Sequence, residues 1–92
     1  MESSIQRFFD MLEKVPRISH LWDIDKRELK VQLFVRELGV MSPGEVHIAK
    51  FFASVWFGSN ELYGFDLIEA VSSLDGKEID LIIEWIADPF WP

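Results

Sequence analysis

The sequence predicts an all-α fold, a compact single-domain bundle of about five helices around a central apolar helix. Two observations favour this fold class. Five times along the 92 residues, a polar residue suited to cap a helix is followed three positions later by Glu or Gln, the spacing that closes a first helical turn. These pairs are Ser3/Gln6, Asp25/Glu28, Ser42/Glu45, Asp66/Glu69 and Asp75/Glu78. Between the caps, most apolar residues recur at helical spacing.

The predicted helices span about residues 4–15, 26–38, 43–57, 67–73 and 76–87, and an aromatic tail covers residues 89–92. In the first helix the apolar residues share one face, and Pro16 is expected to end it. That face consists of Ile5, Phe8, Phe9, Leu12 and Val15. Residues 16–23 lack a period and are predicted to form a loop anchored by Ile18, Leu21 and Trp22.

The second helix, residues 26–38, rests on a choice between two patterns. Leu29, Val31, Leu33 and Val35 alternate as in a strand, whereas Val31, Phe34, Val35 and Leu38 repeat as in a helix. We favour the helix because Asp25/Glu28 supplies a cap and Gly39 supplies a left-handed stop.

The third helix has the clearest start signal in the chain, with Ser42 as the cap, Pro43 at the first helical position and Glu45 completing the box. Its apolar residues cover nearly the whole circumference and leave one narrow polar strip. The strip contains His47, Lys50 and Ser54. A helix of this composition is expected at the centre of the bundle.

The fourth helix begins after Asp66, and the fifth begins after Asp75 and stops before Pro89. On the fifth helix one apolar face is formed by Ile79, Ile82, Ile83 and Ile86. Leu81 and Trp85 form a second apolar face. Because two apolar faces require two neighbours, the Leu81/Trp85 side is predicted to contact a partner protein.

Composition and charge narrow the function classes. The chain has no Cys and no apolar run long enough to cross a membrane, so a cytoplasmic protein without disulfides is expected. Residues 1–60 carry eight acids and eight bases, whereas residues 61–92 carry eight acids and Lys77 alone. An acidic surface repels nucleic acid and anionic lipid, so a basic protein partner is favoured over direct nucleic-acid or membrane binding.

A resemblance adds context to the middle of the chain. The segment Ile48-Ala49-Lys50-Phe51-Phe52 through Val55-Trp56-Phe57, followed by Gly64-Phe65-Asp66-Leu67, resembles a family of small bacterial proteins found on plasmids and integrated mobile elements. In that family an apolar helix ends in Trp-Trp-Asn-Ala and is followed by Gly-Gly-Phe-Asp-Leu. The resemblance covers about residues 45–87. It implies a mobile-element protein of bacterial origin, and the family offers no activity to transfer.

No residue constellation favours catalysis or metal binding. Lys50 and Ser54 lie one helical turn apart, but a lysine extending to the rim of a buried helix explains this spacing better than a Ser/Lys dyad. His20, Asp23 and Asp25 are better explained by loop solvation and capping than by a metal site. A protein without enzymatic activity, metal or cofactor is therefore expected.

Two features near the end of the sequence leave alternatives open. Asp80, Glu84 and Asp88 form an acidic stripe one turn apart, either a solvated face or an imitation of a nucleic-acid backbone. Phe90 and Trp91 lie between prolines in the tail and either fold back onto the core, which we favour, or dock on a partner.

The sequence therefore predicts a protein-interaction or regulatory module that binds a partner, or a second copy of itself, through the last helix. The residues expected to form the contact are Leu81, Trp85, Asp80, Glu84, Asp88, Phe90 and Trp91. The alternative is an acidic mimic of nucleic acid that inhibits a DNA- or RNA-handling complex of a host or competitor.

Overall fold

Six helices and one short β-hairpin make up residues 3–92, the part of the chain that the computed structural model describes. In chain order the elements are α1 (Ser4–Glu13), α2 (Pro16–Ser19), β1 (Trp22–Asp23), β2 (Glu28–Leu29), α3 (Val31–Leu38), α4 (Pro43–Phe57), α5 (Leu67–Val71) and α6 (Gly76–Ala87). The expectation of a compact, mainly helical chain is confirmed, with a radius of gyration of 12.3 Å. The β-hairpin and the sixth helix are differences from the five-helix prediction.

The first difference follows from Pro16. The Ser3 hydroxyl accepts the N–H of Gln6 and caps α1, as predicted, but α1 ends at Glu13. Pro16 then starts α2 instead of only ending α1, because its fixed φ and missing N–H suit a first helical position. The predicted loop at residues 16–23 is therefore wrong, although its expected anchors Ile18, Leu21 and Trp22 are all buried.

The second difference is the hairpin, in which β1 and β2 pair antiparallel. The carboxylate of Asp23 accepts the N–H of Lys26 at 3.0 Å, and Arg27 takes a left-handed φ of 54°, so the chain reverses where a helix start was predicted. The Asp25/Glu28 cap is wrong, and helix α3 begins only at Val31. Gly39 is right-handed at φ −74°, so the expected left-handed stop is wrong as well.

Helix α4 matches its predicted range of 43–57. The Ser42 hydroxyl accepts the N–H of Glu45, while the Glu45 carboxylate accepts the N–H of Ser42 at 3.3 Å. The hydrogen bond that the Ser42 hydroxyl donates to this carboxylate, joined by the one from the Ser42 backbone, holds the pKa of Glu45 below its ordinary value. Gly58 ends the helix in the left-handed conformation at φ 64°.

The hydrophobic core gathers on α4, which contributes seven buried residues, more than any other element. Phe52 is fully buried among aromatic rings of other elements, with ring centroids 5.6 Å from Phe8 and 6.4 Å from Trp22. Phe8 in turn packs 5.0 Å from Trp56. Aromatic burial of this density supplies a large share of the apolar area removed from water.

Helices α5 and α6 begin as predicted. The carboxylate of Asp66 accepts the N–H of Glu69 at 3.0 Å, and Asp75 and Glu78 form a complete capping box. Helix α5 ends at Val71, two residues before its predicted end. None of the helices in residues 3–92 has the length and apolar character needed to cross a bilayer.

Gly44 marks a close approach between the start of α4 and the turn before α6. A Cβ added at Gly44 would lie 2.6 Å from the carbonyl oxygen of Ser73 and 3.1 Å from Nη2 of Arg17. We expect Gly44→Ala to lower the free energy of unfolding by about 1–3 kcal/mol, since the backbone of the turn must move to admit the methyl group.

Gly76→Ala is the matched control for this substitution, measured by urea unfolding of both variants. Gly76 also lies in the first turn of its helix, but a Cβ there meets no atom within 4 Å. Its substitution is expected to be neutral or stabilising by up to about 1 kcal/mol, because alanine has the higher helix propensity. Equal destabilisation of the two variants would contradict the close contact at Gly44.

Candidate functional site

The predicted contact residues Leu81 and Trp85 lie against the chain itself. Leu81 is buried, and Trp85 is half-buried with its ring 5.7 Å from the ring of Phe51. The indole N–H of Trp85 donates to the backbone carbonyl of Phe90 at 2.9 Å. Residues of α1 and Phe90 lie beside this side of α6, so Leu81 is covered and Trp85 partly covered within the chain, and a partner contact through them stays a prediction.

The aromatic tail divides into a buried and an exposed residue. Phe90 is buried, and the guanidinium of Arg7 lies 4.4 Å from the centroid of its ring. Trp91 is 56% exposed and packs edge-on against Trp85, with 5.6 Å between the ring centroids. Phe90 thus folds back onto the core, whereas Trp91 keeps an accessible face.

The acidic stripe of α6 shares its surface with cations. Nη2 of Arg7 lies 3.1 Å from the carboxylate of Asp88, where it also offsets the unfavourable position of an acid at the negative end of a helix. Lys14 and Lys77 line the same shallow cleft as Asp80 and Glu84. The stripe therefore belongs to a surface of mixed sign and is not an uninterrupted acidic ridge.

The exposed apolar side chains of this region lie on the other side of α6. Ile83 is 56% exposed and Ile86 is 54% exposed, and both belong to the first of the two apolar faces predicted for α6. Of that predicted face, Ile82 is buried and Ile79 is half-buried. Helix α5 adds three further exposed apolar side chains, and Ala70 is its only buried residue. They are Leu67, Ile68 and Val71.

Exposed apolar side chains from α5, α6 and the aromatic tail line one cavity. Leu67 at the start of α5, Ile86 at the end of α6 and Trp91 all line a cavity of about 270 Å³ whose floor includes Phe51. Residues 72–75 connect α5 to α6, and the rest of the lining comes from α4, the loop that follows it and the end of α6. We call this surface the α5–α6 groove, and we define it by six exposed residues. They are Leu67, Ile68, Val71, Ile83, Ile86 and Trp91.

Val71 and Ile83 extend the groove along the two helices. Val71 follows Leu67 by four positions and Ile83 precedes Ile86 by three, so each lies on the same helix face as a cavity-lining residue. Both helices therefore carry an exposed apolar side chain next to one that lines the cavity.

The polar groups at one end of the cavity are already hydrogen-bonded to one another. The Ser54 hydroxyl donates to Oδ1 of Asn60 at 3.0 Å, and Nδ2 of Asn60 donates to the carbonyl of Phe65 at 2.9 Å. These bonds hold the loop between α4 and α5 in place. Ser54 is thus engaged in structure, and the groove offers apolar contact in place of reactive groups.

The candidate metal residues are not brought together. The carboxylate of Asp23 is engaged in the hairpin turn, and His20 and Asp25 are exposed. No group of three or more His, Asp or Glu side chains in residues 3–92 is arranged to hold a metal ion.

Comparisons of the chain with protein-family models, with curated proteins and with solved structures find no match. The resemblance of residues 45–87 to mobile-element proteins therefore stays a prediction, and the site rests on its own geometry.

Proposed function

We propose that this protein is a non-enzymatic interaction module that binds a partner protein through the last helix, at the α5–α6 groove. The observation that carries the proposal is a cavity lined by the exposed apolar side chains of Leu67, Ile86 and Trp91, with further exposed apolar residues on the same two helices. Contiguous apolar surface of this kind on a single chain is typical of protein-interaction sites. The bacterial mobile-element origin and the cytoplasmic location expected from the sequence belong to the same proposal.

The energetics favour binding over chemistry. An isoleucine that is half exposed in the free protein gains roughly 1 kcal/mol when a partner removes its remaining surface from water. Several such side chains together supply the apolar centre of an interface. The side chains of Ser54 and Asn60, which line the cavity, are hydrogen-bonded within the chain, so an apolar ligand that covers them does not leave them without a partner.

An acidic mimic of nucleic acid is the less favoured reading. Arg7 pairs with Asp88, and Lys14 lies beside Glu84, so cations interrupt the stripe that a mimic would present. Contact through the groove depends weakly on salt because it removes apolar area from water, whereas mimicry depends strongly on salt. Binding lost between about 0.05 and 0.5 M salt would favour the mimic.

The groove is tested by Ile83→Glu, with Ile24→Glu as the matched control. Ile24 and Ile83 are both 56% exposed, but Ile24 lies in the hairpin turn, away from the cavity. We expect Ile83→Glu to weaken the capture of a partner from the source organism by about 30-fold, roughly 2 kcal/mol, because a carboxylate must then be desolvated at the contact.

Ile24→Glu is expected to capture the partner as the unchanged protein does. Both substitutions are at exposed positions and should change the free energy of unfolding by less than about 0.5 kcal/mol, which thermal unfolding checks. Unchanged capture by Ile83→Glu, or an equal loss with Ile24→Glu, would reject the groove as the binding surface.

A further inference from the structure

We propose that the cavity in the α5–α6 groove binds a small uncharged aromatic molecule of one or two rings. This inference goes beyond the function proposed above, because it concerns the space inside the cavity and a free ligand in place of a protein. Its structural basis is the volume of the cavity, the aromatic rings that line it and the absence of charge among the described residues of its lining.

The volume of the cavity sets the size of the ligand. An apolar cavity of about 150 Å³ is large enough to hold one benzene molecule. The cavity in the groove measures about 270 Å³, which is nearly twice as large. Sites for drug-sized ligands begin at about 300 Å³. The cavity therefore fits a molecule of one ring or two fused rings.

Buried side chains form the floor of the cavity, and exposed side chains form its rim. Phe51, Val55 and Ile82 in the floor are buried, whereas Leu67 and Ile86 at the rim are exposed. A molecule in the cavity therefore displaces water from buried apolar side chains, which favours binding. A small molecule finds these contacts inside the cavity and needs no additional protein surface.

Four aromatic rings of the lining follow one another edge to face. The ring centroid of Phe51 lies 5.4 Å from that of Phe65 and 5.7 Å from that of Trp85, with interplanar angles of 65° and 85°. The ring of Trp85 lies 5.6 Å from that of Trp91 at 78°. Such pairs are stabilised beyond the area they bury, because the positive edge of one ring meets the negative face of another. An aromatic ligand extends this series, whereas an aliphatic ligand of the same size gains only the burial of its area.

The lining favours an uncharged ligand. None of the described residues that line the cavity has a charged side chain. The side chains of Ser54 and Asn60 are already hydrogen-bonded within the chain. A charged group enclosed in the cavity would lose water without gaining an ion pair, and the cost of its desolvation would weaken binding.

The test titrates the full chain with three probes of two fused rings and follows the indole N–H signals by NMR. The probes are 2-naphthol, 2-naphthoate, which carries a negative charge, and decahydro-2-naphthol, which is saturated. We expect 2-naphthol to shift the signals of Trp85 and Trp91, which line the cavity, and to leave those of Trp22 and Trp56 unchanged. Its dissociation constant should be about 1 mM or lower. It should bind at least about threefold more tightly than the saturated probe and about tenfold more tightly than the charged one.

The variants Ile86→Glu and Ile83→Glu separate this site from the partner-binding surface. Both positions are exposed to a similar extent, but Ile86 lines the cavity and Ile83 does not. We expect Ile86→Glu to weaken the binding of 2-naphthol about tenfold, because the carboxylate keeps water at the rim. Ile83→Glu should change this binding by less than about twofold, although it weakens the capture of a partner.

The contrary outcomes distinguish the ligand site from the proposed function. The cavity would be rejected as a ligand site if 2-naphthol produced no saturable shift of the Trp85 and Trp91 signals, or if Ile86→Glu did not weaken its binding. Equal binding of the saturated or the charged probe would overturn the chemical class of the ligand. If 2-naphthol binds as expected but Ile83→Glu leaves partner capture unchanged, the proposed function fails and the ligand site stands.

Discussion

Phe52→Ala is expected to lower the free energy of unfolding by about 3–5 kcal/mol, among the largest effects of any single substitution in the chain. Phe52 is fully buried on α4, and its ring packs against Phe8, Trp22 and Phe51. Removing the ring forfeits its burial and leaves a cavity that these stiff aromatic neighbours cannot close. Since small domains are stable by only about 5–15 kcal/mol, the variant should be close to the threshold of folding.

Phe57→Ala provides the comparison on the same helix. Phe57 is 42% exposed and touches only the edge of the aromatic cluster, with its ring centroid 6.2 Å from that of Tyr63. Its removal is expected to cost about 1 kcal/mol. Guanidinium unfolding measures both variants, and Phe52→Leu provides a folded intermediate if Phe52→Ala does not fold. Similar losses at positions 52 and 57 would contradict the packing described for α4.

Arg17→Met is expected to destabilise the protein by about 3 kcal/mol. Nε and Nη2 of Arg17 lie 2.8 and 2.6 Å from the two carboxylate oxygens of Glu78, whose side chain is only 6% exposed. Without the guanidinium, the Glu78 carboxylate stays buried at the start of α6 with its charge unpaired. The side chain of Arg17 is 38% exposed, so water can partly solvate the Glu78 carboxylate once the guanidinium is gone. The loss of stability should therefore fall at the lower end of the range for a broken buried ion pair.

Asp88→Asn breaks the other ion pair of the described residues and serves as the control. The Asp88 side chain is 80% exposed, so loss of its pair with Arg7 is expected to cost less than about 1 kcal/mol. Adding Glu78→Gln to Arg17→Met should recover part of the stability, because the amide keeps the cap and carries no buried charge. Thermal unfolding of the three variants measures these differences. A loss of stability from Asp88→Asn as large as that from Arg17→Met would contradict the greater weight given to the buried Arg17–Glu78 pair.

The features of the fold that the sequence predicts well are those set by neighbouring residues. Ser42, Asp66 and Asp75 cap their helices in the structure because each cap needs only a backbone N–H three residues away. The same rule fails at Asp25, where the chain forms a hairpin instead of a helix start. The carboxylate of Asp23 accepts the N–H of Lys26 and so favours a turn. Leu29 pairs with Trp22 across the sheet, a contact between residues seven positions apart that a helical period does not reveal.

The exposed face of α6 in the candidate site could not be predicted from the pattern of apolar residues along the helix. That pattern shows two apolar faces and gives no basis for deciding which one faces water. Phe90 folds back and accepts the indole N–H of Trp85, so the predicted face is covered and Ile83 is left exposed on the other side. That outcome depends on where the tail packs, which is a tertiary contact. For α5 the sequence signal is that the helix is short and mostly apolar. A helix of five residues buries only one narrow face, here Ala70, so apolar residues such as Ile68 must stay exposed.

Site-specific photo-crosslinking in cells of the source organism tests the central claim most directly. A photoreactive amino acid is placed at position 83 in the groove or, as the matched control, at position 24 in the hairpin turn, where exposure is the same. The α5–α6 groove as the partner-binding surface predicts a discrete crosslinked protein from position 83 and none from position 24. Crosslinks to the same protein from both positions, or from position 24 alone, would contradict it.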